Sequence, residues 1–187
     1  MSKPSVINVP NALSLIRLLG VPLLFYLIHL DSVLWFISWF IFLGLTDYFD
    51  GLLARRWNQA TAFGSHLDAI ADVAYYLSAA WFFFVLFPDY LVPNLPYVYA
   101  MLVMFGLSLV IARAKTGRFK FLHTHLSRLC GVLVFFGFLL SFTMDTSYLL
   151  RGIILIYALA FVEISFMFWL YGDVNSDTRT ILHLKRK

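Results

Sequence analysis

The chain has 187 residues, 61% of them hydrophobic and only 13% charged, with a mean hydropathy of +0.83. That balance excludes an ordinary water-soluble domain, in which apolar and polar residues are nearly even, and makes lipid the expected solvent. The net charge of +4 does not read as a nucleic-acid footprint, because the basic residues are dispersed over the ends of apolar runs, where anionic lipid headgroups explain them.

A hydrocarbon layer about 30 Å thick needs about 20 mainly apolar helical residues to cross it. Six runs approach that length: Ala12–Leu30, Val33–Leu53, Leu67–Phe87, Tyr97–Ala114, Leu126–Met144 and Tyr148–Tyr171. Between them lie Asp31 and Ser32, the loop 55–65, the segment 88–96, the loop 115–125 and the turn 145–147. The expected fold is therefore all-α, a polytopic membrane protein built as a six-transmembrane-helix bundle. A single domain over residues 1–187 is expected, with a core at 12–171 and a polar tail at 173–187. No small-residue cleavage site follows a short apolar run near the start, so no removable signal peptide is expected.

Six crossings put both termini on one side. Twelve of the fourteen lysines and arginines fall on that side, while the opposite turns carry Asp31, Asp89 and Asp145. The bias predicts a multi-pass protein of the cell membrane with cytoplasmic termini. The single cysteine, Cys130, excludes an intramolecular disulfide and is read as a packing residue.

Four of the ten acidic residues fall within residues 47–72: Asp47, Asp50, Asp68 and Asp72. Spacings of three and four project each pair from one face of its helix. Even on a lenient insertion scale, an aspartate at mid-membrane costs ~2.5–3.5 kcal/mol, so a cation must neutralise the set. An all-oxygen ligand set selects a hard divalent ion, Mg²⁺ or Mn²⁺, and four carboxylates suffice for two ions. Between the pairs, Gly51 and Ala54 clear bulk for a nucleotide or diphosphate, and Arg55 offers a forked donor for phosphate oxygens. Thr61 and Gly64, in the turn before the second pair, could meet the same ligand.

The resulting pattern, Asp47-x2-Asp50-Gly51-x2-Ala54-Arg55-x8-Gly64-x3-Asp68-x3-Asp72, resembles the signature of the CDP-alcohol phosphatidyltransferase family at every specified position. The resemblance implies a homodimer of six-helix protomers with a cavity open to the cytoplasm, four aspartates binding two metal ions, and Asp72 as the catalytic base. It further implies CDP-diacylglycerol as donor, a small alcohol as acceptor and CMP as leaving group.

The amino end, from Asn8 to Arg17, resembles the opening of phosphatidylglycerophosphate and cardiolipin synthases in this family, which points to glycerol 3-phosphate as acceptor. Asn11, Ser14 and Arg17 share one helical face there and could face the cavity, with Arg17 on the nucleotide or a phosphate. The alternative is a helix cap at Asn11 and an Arg17 that snorkels to the interface. Ala69 and Val73 stand where phosphatidylglycerophosphate synthases commonly have proline and lysine, and the segment from Gly117 to His125 resembles inositol-type branches, so inositol or inositol phosphate stays open as acceptor. Arg113, Arg128 and Arg118 are candidates for holding an acceptor phosphate, whereas Lys115, Lys120, His123 and His125 are read as interfacial. Glu163, alone in the last run, is read as paired, protonated or cavity-facing. A rival class, a transporter using intramembrane acids, would spread them across the membrane, and these cluster at one end.

Overall fold

The computed structural model describes residues 8–59, 61–117 and 125–172. Every described regular element is helical, in the order α1 (Val9–His29), α2 (Val33–Arg56), α3 (Ala62–Leu86), α4 (Pro88–Leu91), a 3₁₀ turn (Val92–Asn94), α5 (Leu95–Thr116), α6 (His125–Leu140) and α7 (Ser147–Tyr171). The all-α class and the six apolar helices agree with the sequence reading, and the protein is a multi-pass membrane protein. Five spans are long and apolar enough to cross a bilayer, and α6 is a shorter apolar helix. The tail 173–187 and the segment 118–124, including Arg118 and His123, lie outside the described residues.

The helices group into two compact units, residues 1–82 and 83–187. In the first, the buried positions run down each helix at helical spacing. They include Ser14, Arg17, Gly20, Val21 and Leu24 on α1, and are Phe36, Phe40, Leu43, Thr46 and Asp50 on α2. On α3 they include Gly64, Ala71, Tyr75, Ser78 and Phe82. Each stripe is polar or small toward one end and apolar toward the other, so the three helices share an oily half and a charged half.

The oily half is tightly keyed. Gly20 lets α2 approach α1, since a Cβ there would lie 2.7 Å from a Leu43 methyl, and the indole of Trp39 donates to the Gly20 carbonyl at 2.9 Å. Tyr75 donates its hydroxyl to the Phe40 carbonyl at 3.0 Å, while Phe36 and Phe82 meet edge to face with centroids 4.9 Å apart. With no water to exclude in lipid, such close packing and interhelical hydrogen bonding hold helices together.

Two helix starts differ from expectation. Asn8, not Asn11, caps α1: its side-chain oxygen accepts from the Asn11 amide at 2.9 Å, and Pro10 supplies the preset first-turn φ. The α3 helix begins at Ala62 rather than near Leu67 because Thr61 caps it, its Oγ1 accepting from the Gly64 amide at 2.9 Å. Gly64 and Ser65 lack apolar side chains but pose no obstacle to a capped first turn.

The second unit is packed with apolar residues. Ala112 of α5 sits with Ile164, Met167 and Phe168 of α7, flanked by Ile111, Phe161 and Tyr171. Residues 88–96, expected as a break, are instead the short α4, the 3₁₀ turn and the start of α5. Here Asn94 donates to the carbonyls of Tyr90 (2.8 Å) and Ser147 (2.9 Å) and accepts from Arg151 Nε at 3.0 Å. The α6 helix ends at Leu140 rather than Met144, because Ser141 turns its hydroxyl to the Gly137 carbonyl and to Thr146 Oγ1, and Thr143 bonds back to Leu140. Such side-chain bonds offer the backbone a turn in place of another helical step. Cys130 is buried on α6, in keeping with a packing role.

Candidate functional site

All four aspartates converge on one guanidinium. Asp47 and Asp50 stand in the last three turns of α2, Asp68 and Asp72 in the second and third turns of α3, and Arg17 reaches them from the middle of α1. Arg17 Nη1 lies 2.8 Å from Asp47 Oδ1, and Nη2 lies 2.9 Å from Asp50 Oδ2, 2.5 Å from Asp68 Oδ1 and 3.2 Å from Asp72 Oδ1. The Arg17 side chain is wholly buried and that of Asp50 nearly so, whereas Asp47, Asp68 and Asp72 are each about one-third exposed. The cluster therefore has a buried floor and an accessible rim.

Arg17 thus does not snorkel to the interface: it is the counter-ion of the whole acidic set. Its demands exceed its supply. Nη2 carries two hydrogens and faces three carboxylate oxygens, so Asp72 Oδ1 is buried without a hydrogen bond, as is Arg17 Nε. Nη1, although within ion-pair distance of Asp47, is misaligned for a hydrogen bond. With all four carboxylates ionised, one guanidinium leaves three negative charges uncompensated.

Those leftover acceptors test whether a divalent ion fits. Asp47, Asp50 and Asp68 each present a carboxylate oxygen, all within 4.8 Å of one another, which is a spacing for ligands of one cation. Together with the orphaned oxygen of Asp72, the donors are oxygen alone, the set that hard ions prefer. The residues fit a divalent metal.

Supporting contacts fix this floor. Ser14 donates to Asp50 Oδ2 at 3.1 Å, and the Tyr76 hydroxyl donates to Asp47 Oδ2 at 3.4 Å. Asn11 donates to Thr61 Oγ1 at 3.5 Å, and Asn8 donates to the Gln59 carbonyl at 3.2 Å, tying the start of α1 to the α2–α3 connection. Gly64 is needed where it stands, because a Cβ there would lie 2.2 Å from Asn11 Oδ1. Tyr76 was not singled out in the sequence, although its position one turn after Asp72 puts it on the aspartate face.

Gly51, Ala54 and Arg55 lie on the final turns of α2. A Cβ on Gly51 would meet only Arg55 Nη2, at 3.8 Å, so the helix surface beside Asp50 is open. Arg55 is exposed. Thr61 and Gly64 are engaged in the α3 cap and the Asn11 contact. Arg113 is an exposed residue in the last turn of α5 whose guanidinium donates to the Gly117 carbonyl. Arg128 lies on α6. Glu163 is half-buried on α7.

Two apolar helices thus each carry an acidic pair, together suited to a divalent ion, with small residues and an arginine beside it. A family-wide profile described as CDP-alcohol phosphatidyltransferase matches residues 7–164, and the chain belongs to that family. Among its relatives, the CDP-diacylglycerol–glycerol-3-phosphate 3-phosphatidyltransferase of Escherichia coli K12 is 46% identical over 69 residues, covering 35% of this chain and 37% of its own. The enzyme of the same name from Cereibacter sphaeroides is 45% identical over 71 residues, covering 36% and 32%. A cardiolipin synthase (CMP-forming) from Streptomyces coelicolor is 44% identical over 79 residues, covering 39% and 37%. The chain thus spans about a third of the length of these curated relatives. No solved structure matches it.

Proposed function

We propose that the protein transfers a phosphatidyl group from CDP-diacylglycerol to glycerol 3-phosphate, releasing CMP, at the cytoplasmic face of the cell membrane. The observation that carries this reading is the convergence of Asp47, Asp50, Asp68 and Asp72 at one end of α2 and α3, with the open Gly51 surface and Arg55 beside them. A transport pathway is not favoured, because these acids form one terminal cluster. The names of the relatives, two of which specify glycerol 3-phosphate, support that acceptor over inositol or inositol phosphate.

Asp47, Asp50, Asp68 and Asp72 would hold Mg²⁺ or Mn²⁺, two ions in the working site. When bound, these ions supply the positive charge that offsets the diphosphate and the departing CMP. Gly51 and Ala54 admit the nucleotide against the α2 backbone, Arg55 holds the diphosphate, and Thr61 and Gly64 bound the nucleotide side. Arg113, Arg118 and Arg128 receive the acceptor phosphate. Asp72 takes the proton from the acceptor hydroxyl as its oxygen bonds to the phosphorus bearing diacylglycerol. The bond from that phosphorus to the CMP oxygen breaks, and CMP leaves with the electron pair. Alignment and charge neutralisation supply most of the acceleration in such transfers. The working unit is a single-domain protomer in a homodimer.

The reading is tested by incubating purified protein with CDP-diacylglycerol, Mn²⁺ and, separately, glycerol 3-phosphate, inositol, inositol phosphate or serine. Phosphatidylglycerophosphate is the expected lipid product. An inositol lipid as the sole product would reassign the acceptor, and transfer to none would overturn the donor assignment.

A further inference from the structure

The geometry points to Arg17 as an exchangeable internal cation, which holds the four aspartates together before divalent ions load and leaves their centre when they do. The inference rests on the metal-binding reading above and goes further, by making one side chain the competitor of the metal.

Arg17 and a divalent ion cannot share the present arrangement. A guanidinium has no lone pair to offer a metal, and Asp50 Oδ2 and Asp68 Oδ1, which belong to two of the three residues clustered within 4.8 Å, both face its Nη2. An ion using those oxygens would sit against a fixed positive charge in a poorly screened site, where like charges repel strongly. The existing bonds are also imperfect: Asp72 Oδ1 lacks a hydrogen-bond partner that metal ligation would replace, and Arg17 Nε and Nη1 carry N–H donors left unused.

Displacement gives Arg17 a second use. Its planar fork of donors matches phosphate oxygens, and the diphosphate of the donor substrate would lie on the same ions that expel it. Metal and nucleotide should therefore bind cooperatively, with Arg17 passing from carboxylates to phosphate. Such a positioning residue would keep the acidic helices paired between turnovers.

The experiment measures Mn²⁺ binding to protein in lipid nanodiscs, by electron paramagnetic resonance, for wild type, Arg17→Lys and Arg17→Gln, together with unfolding temperatures in chelator and in Mn²⁺. Removing a competitor should tighten Mn²⁺ binding, with Arg17→Gln roughly tenfold tighter than wild type, in the range of ordinary site-to-site coupling, and Arg17→Lys intermediate. In chelator, Arg17→Gln should unfold at the lowest temperature and recover most on adding Mn²⁺. Equal or weaker Mn²⁺ binding by the variants overturns the exchange, since a purely structural Arg17 would splay the ligands when lost. Should Arg17→Gln fail to fold in chelator, Arg17→Lys against wild type carries the same test. Absence of Mn²⁺ binding in all the proteins, wild type included, would instead overturn the metal reading beneath it.

Discussion

The two units of this protein bury different things. In residues 1–82 the shared interior of α1, α2 and α3 changes from Leu24, Phe36 and Phe82 to Arg17, Asp50 and Ser14 along the same helical stripes. In residues 83–187 the packed centre between α5 and α7 is Ala112, Ile164, Met167 and Phe168, with no charge among them. The first unit thus carries an over-committed polar cluster in its interior, whereas the α5–α7 centre of the second is held by apolar packing, with its polar bonds around Asn94 and Ser141 kept to the turns. Charges inside a membrane are costly enough to mark function, and an apolar helix contact marks only architecture.

The comparison breaks most sharply at the acids. Asp50→Asn and Asp72→Asn should each lower CMP release by about a thousandfold or more, the scale of removing a charge that acts on the transition state, while helical content by circular dichroism stays unchanged. Full activity in either variant would remove the metal-and-base assignment. In the second unit, Met167→Ala should cost on the order of 2 kcal/mol of stability, the low end for core truncation because lipid replaces only the packing. Turnover per folded molecule should hardly move, as thermal unfolding and activity measured side by side would reveal.

Smaller effects sharpen the boundary between the two halves of the first unit. Gly64→Ala forces Asn11 aside and should cost about 1 kcal/mol through overpacking, with loss of activity exceeding the loss of folded protein because the α1–α3 contact lies beside the aspartates. Tyr75→Phe, in the oily half, removes one interhelical hydrogen bond worth about 0.6 kcal/mol in a bilayer. It should lower the unfolding temperature slightly and leave turnover intact, and a large catalytic defect there would erase the proposed division.

Much of this was legible in the sequence for physical reasons. Apolar run length set the six helices within a few residues, since a single run of about 20 apolar residues satisfies its own backbone in lipid only as a helix. The aspartates were legible because three- and four-residue spacing fixes a helix face. What spacing cannot give is register between helices: it puts Arg17 on the face of α1 shared with Asn11 and Ser14, but its meeting with all four carboxylates depends on how α1 lies against α2 and α3. The displaced starts of α1 and α3 came from Asn8 and Thr61, polar caps that a search for apolar runs passes over. The early end of α6 came from Ser141 and Thr143, whose hydroxyls bond locally to the backbone.

The acidic cluster of α2 and α3 is the proposed metal-dependent phosphatidyl-transfer centre. Its most direct test is CMP release from CDP-diacylglycerol and glycerol 3-phosphate by wild-type protein and Asp72→Asn, each in chelator and after return of Mg²⁺ or Mn²⁺. Release is expected from wild type only when the ion is present, and none from Asp72→Asn under either condition. Release by wild type that persists in chelator, or full release by Asp72→Asn, would contradict it.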